Sequence, residues 1–300
     1  MTETIPTPTA PRLIVNADDF GLSEPVNAGI VTAHRRGIVT ATSLMAVGSA
    51  FDDAVRWSRA LPTLDIGVHL TAVGGRALLP QSPDSPWPSG RFPDGYGAFV
   101  HAWLAGRIRP AAVHAEWSAQ IERVLGAGIQ VSHLDSHQHL HALPGLAERA
   151  FELAQRYRIP FVRVPLERPL PRPEGAAGLV RALSALVLRG AWTAARVAGG
   201  WRVRGRAARR RPRGLRFLGF SEGGKLDLDR LLKLLARIGS AGDYELMCHP
   251  GFTPAEPEVR RWNYRHESEV LALTHPAVRA TLVRRGIRLC RFADLERERS

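Results

Sequence analysis

Four short clusters in this chain carry the side chains best suited to chemistry. The first is Asp18-Asp19, directly after the apolar run Arg12-Leu-Ile-Val-Asn16. Adjacent carboxylates repel, and both stay charged only beside a cation or hydrogen-bond donors. A helix-capping acidic turn would use the same residues, but a metal ligand next to a general base accounts for the pair better. The second cluster is Gly67-Val68-His69-Leu70, with an imidazole at a strand end. The third runs from His133 to His141 and places His133, Asp135, His137, His139 and His141 at every second position. In extended chain all five would point to one side. At a strand end, some would face a site and the others would orient them. The flanking apolar Val131 and Leu134 argue for a strand rather than a surface histidine tract. The fourth is Glu245-Leu-Met-Cys-His-Pro-Gly251, in which His249 follows another apolar run. A lone histidine of this kind is more often structural. Four clusters at strand ends carry more weight than any one of them.

One aspartate and two histidines can hold a divalent metal and leave positions open for water and substrate. A metal lowers the pKa of bound water, and a nearby carboxylate can take its proton. A histidine on the opposite side could protonate the leaving group. That set suffices to hydrolyse an amide or an ester.

The elements that must position these groups alternate along the chain. Strands are expected at Arg12–Asn16, Ile38–Ala46, Leu64–His69, Ile129–Leu134, Pro160–Val164, Leu215–Phe220, Tyr244–Cys248 and Ile287–Arg291. Helices are expected from Ser23 to about His34, over 50–60, and at Ala111–Leu125, Gly145–Tyr157, Asp227–Ile238 and Pro276–Arg285. Gly74 to Gly97 is too rich in Gly and Pro for a repeating element. Alternating strand and helix predicts an α/β protein with a parallel sheet, and about eight strands favour a (β/α) barrel. In such folds, sites assemble at the C-terminal ends of the strands. Residues 1–11 read as a loose tail and 12–300 as one domain, with a basic insertion at about 176–213.

Composition narrows the class. The chain has 300 residues, 45% hydrophobic, which excludes wholesale disorder. Two cysteines, Cys248 and Cys290, make neither a disulfide framework nor a CxxC zinc site. With no signal peptide or uninterrupted apolar span in view, a cytoplasmic protein is expected. The net charge is 41 − 28 = +13, carried almost wholly by arginine. Arg202 to Arg216 holds eight arginines in fifteen residues and no acid. An apolar stretch followed by a polybasic run suits an anionic membrane surface, and a solvated loop beside a packed helix is the plainer reading. No aromatic-interleaved basic stripe supports nucleic-acid binding. A cyclic amidohydrolase would want a His-x-His pair near the first strand, where this chain has Asp-Asp.

The motifs Asn16-Ala-Asp-Asp-Phe-Gly21, Gly67-Val-His69, Ser132-His-Leu-Asp-Ser-His-Gln-His-Leu-His141 and Met247-Cys-His-Pro250, in this order, resemble those of the YdjC-like (ChbG/HpnK) carbohydrate deacetylases. The resemblance implies a deformed (β/α) barrel of seven to eight parallel strands, related to polysaccharide deacetylases. It implies metal-dependent removal of acetyl from an N-acetylated sugar. Carried over residue by residue, Asp19, His69 and His137 would hold the metal. Asp18 would be the general base and His249 the acid. His133, Asp135, His139 and His141 would support these or touch substrate. The family's usual metal is Mg²⁺, whereas two imidazoles and a carboxylate suit Zn²⁺ or another transition ion. The His-rich motif looks like that of chitooligosaccharide enzymes. Gly74-Gly-Arg-Ala-Leu-Leu-Pro80, Tyr264-Arg-His-Glu-Ser-Glu269 and Pro276-Ala-Val-Arg-Ala-Thr281 look like hopanoid-pathway enzymes, which act on an N-acetylglucosaminyl lipid at the membrane. A homodimer is implied only weakly.

Overall fold

The computed structural model describes residues 10–79, 86–87, 89–167, 190, 215–254 and 257–298. The expected basic insertion at 176–213 therefore lies outside the described residues, apart from Gly190, as does most of the expected tail.

Every expected strand is present, and the pairing is parallel throughout. They are β1 (Arg12–Phe20), β2 (Ala41–Leu44), β3 (Asp65–Leu70), β4 (Val131–Ser136), β5 (Phe161–Val162), β6 (Arg216–Leu218), β7 (Asp243–Cys248) and β8 (Arg288–Leu289). The order across the sheet is β5-β4-β3-β2-β1-β7-β6, with β8 paired to the start of β1. β1 lies inside the sheet and is buried along nearly its whole length, as a strand covered on both faces must be.

The sheet is curled. Laid flat, β5 and β1 would be about 19 Å apart at ~4.8 Å per strand. Yet Arg163, the residue after β5, donates to Asp18 on β1 at 2.6 and 2.7 Å and to Glu245 on β7 at 2.6 Å. Only a barrel-like curl brings those positions within reach of one side chain.

Strand alternation sorts the residues to two sides. On β1, Leu13, Val15 and Ala17 enter the main core shared with the surrounding helices. Ile14 belongs to a separate apolar cluster with Ala41, Phe161, Cys290, Phe292 and Leu295. This inner cluster is built from strand starts and from the final helix, Phe292–Arg297, so it fills the N-terminal mouth of the barrel. Above Ile14 the inward positions of β1 become Asn16 and then Asp18. Polarity thus rises toward the C-terminal mouth, where the sequence clusters meet.

The helices begin where local chemistry allows. Ser23 caps Glu24–Arg36, its side chain accepting from the Val26 N–H, with Pro25 in the first turn. Asp227 caps Leu228–Ala236 in the same way. Among the described residues, five elements lie beyond the expected set: helices Tyr96–Leu104, Pro257–Arg260, His266–Thr274 and Phe292–Arg297, and the tight turn His137–Ala142. The first begins inside the stretch read as loop, which also contains an antiparallel bridge between Arg76 and Arg91. Among the described residues, no helix is long and apolar enough to cross a membrane.

Gly67 on β3 is dictated by packing. A Cβ there would lie 2.4 Å from the imidazole of His133 on the neighbouring strand. Replacing Gly67 by alanine should therefore destabilise the protein by about 1–3 kcal/mol, as overpacking does, seen as a lower urea midpoint. An unchanged midpoint would mean that His133 can move aside freely.

Candidate active site

Two adjacent residues of a regular strand point to opposite sides, so Asp18 and Asp19 need a device to share one site. β1 supplies it as a bulge. The register with β2 runs Ala17 to Thr42 and then jumps to Phe20 with Leu44. Asp19 takes a left-handed φ of 70° within that bulge. Bulges of this kind re-aim side chains. Both carboxylates consequently face the mouth of the barrel, and both are buried.

The histidine run also departs from simple alternation. Extended chain ends at Ser136, and His137–Ala142 forms a tight turn in which Gln138 and His139 have φ of 53° and 55°. Only His133 and Asp135 follow strand alternation, so the expectation that all five residues point one way does not hold. The turn throws His137 over the end of β1, where its Nδ1 meets Asp19 Oδ1 at 3.0 Å. His141 folds back beneath, with Nδ1 at Ser136 and Nε2 at the carbonyl of Arg163. His139 packs against Phe217 and Phe220, and its Nδ1 has no hydrogen-bond partner.

Asp19, His69 and His137 form a trio whose ligand atoms all lie within 4.8 Å of one another. His69 Nδ1 donates to Asp135 Oδ1 at 2.8 Å, which aims Nε2 at Asp19 Oδ1, 3.3 Å away. A carboxylate behind a histidine in this manner fixes the ring and raises its basicity. Burial alone would lower the pKa of His69, but Asp135 and Asp19 outweigh it and push the value up to about 10. Burial likewise works to raise Asp19, and His137 and His69 overcome it to hold that carboxyl well below its usual range. Asp19 Oδ2 is buried and accepts no hydrogen bond. Asp19 presents Oδ1 to both imidazoles and keeps Oδ2 unpartnered beside them, which fits a divalent cation, and the trio offers the donor types such an ion takes.

Asp18, His69 and Asp135 also cluster closely. That second group is already neutralised, because Arg163 supplies the cation. Its guanidinium is fully buried and contacts Asp18, Asp135 and Glu245. Burial disfavours the charge on Arg163, yet Asp135, Asp18 and Glu245 raise its pKa well above the ordinary value. Burial pushes Glu245 up to about 7 in spite of Arg163.

Below this layer lies a network of neutral donors and acceptors. Asn16 Nδ2 donates to Asp18 Oδ1 and to Ser43 Oγ, each at 2.8 Å. Ser43 Oγ donates to Asp135 Oδ2 at 2.7 Å and meets His133 Nε2 at 3.0 Å. His133 stacks on Phe292, ring centroids 4.1 Å apart. Burial takes both His133 and His141 down to about 4, so they act as neutral hydrogen-bonding groups. His133, Asp135 and His141 sit under the trio with their polar atoms paired within the protein.

His249 stands at the end of β7. Its backbone N–H donates to Glu269, and its carbonyl faces Nδ1 of His266 at 2.9 Å. Phe252 N–H donates to the Pro25 carbonyl, seating the following loop on the first helix. His249 Nδ1 is buried without a partner, and burial lowers its pKa against the pull of Asp19 and Asp18. Burial also raises Glu269, to about 8.

Sequence reasoning missed Arg163, Ser43 and Glu269. Arg163 follows a two-residue strand and has no motif to mark it among so many arginines. Glu245 opens the fourth cluster, where its neighbours Met247 to Pro250 carry the motif.

The family model of the YdjC-like protein matches residues 12–284. The chain belongs to the YdjC-like family. Among its relatives, a carbohydrate deacetylase of Vibrio cholerae is 31% identical over 289 residues, covering 95% of this chain and 96% of that one. A carbohydrate deacetylase of Brevibacillus brevis is 40% identical over 154 residues, a match covering 51% of this chain and 59% of that one. Among solved structures, one described as a cellobiose-phosphate cleavage protein of Enterococcus faecalis superposes with a TM-score of 0.71 at 25% identity. That superposition covers 96% of this chain and 99% of the other.

Proposed function

We propose that this protein removes the acetyl group from an N-acetylated amino sugar and releases acetate, using one divalent metal ion held by Asp19, His69 and His137. The observation that carries the reading is the trio itself, with its unpartnered Asp19 oxygen, set beside Asp18 on the same bulge. Full-length relatives named carbohydrate deacetylase support the substrate class. When bound, the metal would polarise the acetyl carbonyl and acidify water.

Asp18 is the general base of this scheme. Oδ1 accepts from both Arg163 and Asn16, whereas Oδ2 accepts from Arg163 Nη1 and keeps a lone pair for the proton of the attacking water. His249 is the acid for the departing nitrogen. Burial favours its neutral form before the reaction, and Nδ1, buried without a partner, would take up the proton that Asp18 removes from the attacking water and pass it to the departing nitrogen. Asp18→Asn should lower kcat at least about 100-fold while the metal stays bound. Turnover near wild type with metal retained would remove Asp18 from this role.

Ligand chemistry favours Zn²⁺ or another transition ion, and family resemblance favours Mg²⁺. Reconstituting metal-stripped protein with each ion and measuring acetate release from N-acetylglucosamine oligomers decides between them.

A second reading places the amino sugar on a lipid. Its support is the run of eight arginines within Arg202–Arg216, suited to an anionic bilayer. The protein should then sediment with anionic liposomes at moderate salt, and less so once these arginines are replaced by glutamine. Absence of sedimentation, or no change on replacement, leaves the soluble oligosaccharide as the substrate.

A further inference from the structure

The two histidines that flank the reacting position each have an aromatic ring laid against them, and both rings come from one short segment. Trp262 lies 4.8 Å from His137, ring to ring, and Tyr264 lies 4.8 Å from His249. The two rings are 5.7 Å from each other. The segment is firmly seated. Arg265 N–H donates to the Gly224 carbonyl at 2.7 Å. A Cβ at Gly224 would lie 2.2 Å from the Tyr264 ring, so the phenol packs directly on backbone. Tyr264 also meets His266, at 5.6 Å. Tyr264 is half-buried, its ring packed against Gly224, His249 and His266. Trp262 is held by ring contacts to His137 and Tyr264 and remains partly exposed at the mouth of the barrel.

We propose that Trp262 is the sugar platform of this site. Its indole takes the apolar C–H face of the pyranose whose acetamido group lies between His137 and His249. The proposal rests on the deacetylase reading and adds a specificity-determining residue to it. The chemistry is general: a pyranose has a face of C–H groups and an edge of hydroxyls, and an aromatic surface removes the former from water while leaving the latter solvated. Binding sites commonly combine such a surface with a few polar groups that fix orientation. Tyr264, packed between His249 and His266, holds His249 and the indole in place.

The test compares the metal-loaded wild type with Trp262→Ala and Trp262→Phe. Calorimetry with a glucosamine oligomer, the deacetylated product, measures binding without turnover. Steady-state kinetics on the N-acetylated oligomer separate KM from kcat. Trp262→Ala should weaken oligomer binding and raise KM about five- to tenfold, the range one aromatic face supplies. Its kcat should fall less than about threefold, and Trp262→Phe should recover most of the affinity. Unchanged affinity in both variants overturns the proposal. So does a loss confined to kcat, which would assign Trp262 to holding His137. If alanine costs the metal or the fold, Trp262→Leu, which keeps apolar bulk without a ring, decides: a KM rise of about threefold or more supports the platform, and wild-type KM and affinity overturn it. A wild type that binds no oligomer and releases no acetate would instead refute the deacetylase reading.

Discussion

Replacing Arg163 by leucine should destabilise the protein by about 3–5 kcal/mol and reduce acetate release below detection. The reason is the number of charges left behind. Asp18, Asp135 and Glu245 are all buried, and Arg163 is their shared partner at 2.6 to 2.8 Å. Removing one member of a buried ion network leaves carboxylates desolvated and uncompensated, the costly case for buried charge. The pH dependence gives a second signature. Burial already pushes Glu245 up to about 7 against the pull of Arg163, and without the guanidinium its folded-state value rises further above the unfolded one. The folded variant then binds more protons than the unfolded chain, so its stability rises as pH falls. Urea midpoints of Arg163→Leu should therefore recover partly between about pH 8 and pH 5. Arg163→Lys offers the useful comparison. It keeps one charge but cannot fork to three carboxylates, so it should be more stable than the leucine variant and still turn over at least about tenfold more slowly. A leucine variant as stable as wild type would mean that the carboxylates can be neutral or hydrated in the folded protein.

Asp19→Asn should reduce bound metal from one ion per chain to none and lower turnover at least about 10³-fold, since a catalytic metal contributes several kcal/mol. Asp19 is the member of the trio that both imidazoles approach, and the only carboxylate in it. Asparagine has nearly the same shape but no charge, so the loss reports on electrostatics rather than packing. Metal analysis and kinetics read the two effects separately. Thermal melting gives a third readout: a metal held by the native state raises Tm in wild type, and the variant should not respond. Asp135→Asn tests the layer beneath. Asp135 touches His69 rather than the ion position, so metal affinity should fall about 10–100-fold and not vanish. One ion per chain retained in Asp19→Asn would overturn the assignment of the trio.

All eight strands could be read from short β-branched or apolar runs bounded by Gly, Pro and polar residues. The helix His266–Thr274 could not, because Val270, Leu271, Ala272 and Leu273 are consecutive rather than spaced three and four apart. Helix Tyr96–Leu104 was hidden by the Gly- and Pro-rich stretch it grows from. The trio was legible as residue types at strand ends, with its membership supplied by resemblance. The bulge that turns Asp19 into the site was not, since nothing in Ala-Asp-Asp-Phe distinguishes a bulged strand from a regular one. Nor was the left-handed turn at Gln138 and His139, which breaks the every-second-residue pattern and sends His137 and His141 to different places.

The sequence by itself determined the donor types, their placement at the ends of parallel strands and the excess of arginine. These follow from local rules: strand alternation, turn chemistry and composition. Tertiary structure decided which atoms meet. Arg163 and Asp18 are 145 positions apart, and they touch because the sheet curls until the end of β5 faces β1. No local pattern encodes that contact, since the curl is a property of all the strands together. The same curl selects Asp19, His69 and His137 for the open trio and fills the neighbouring acidic group with the protein's own guanidinium.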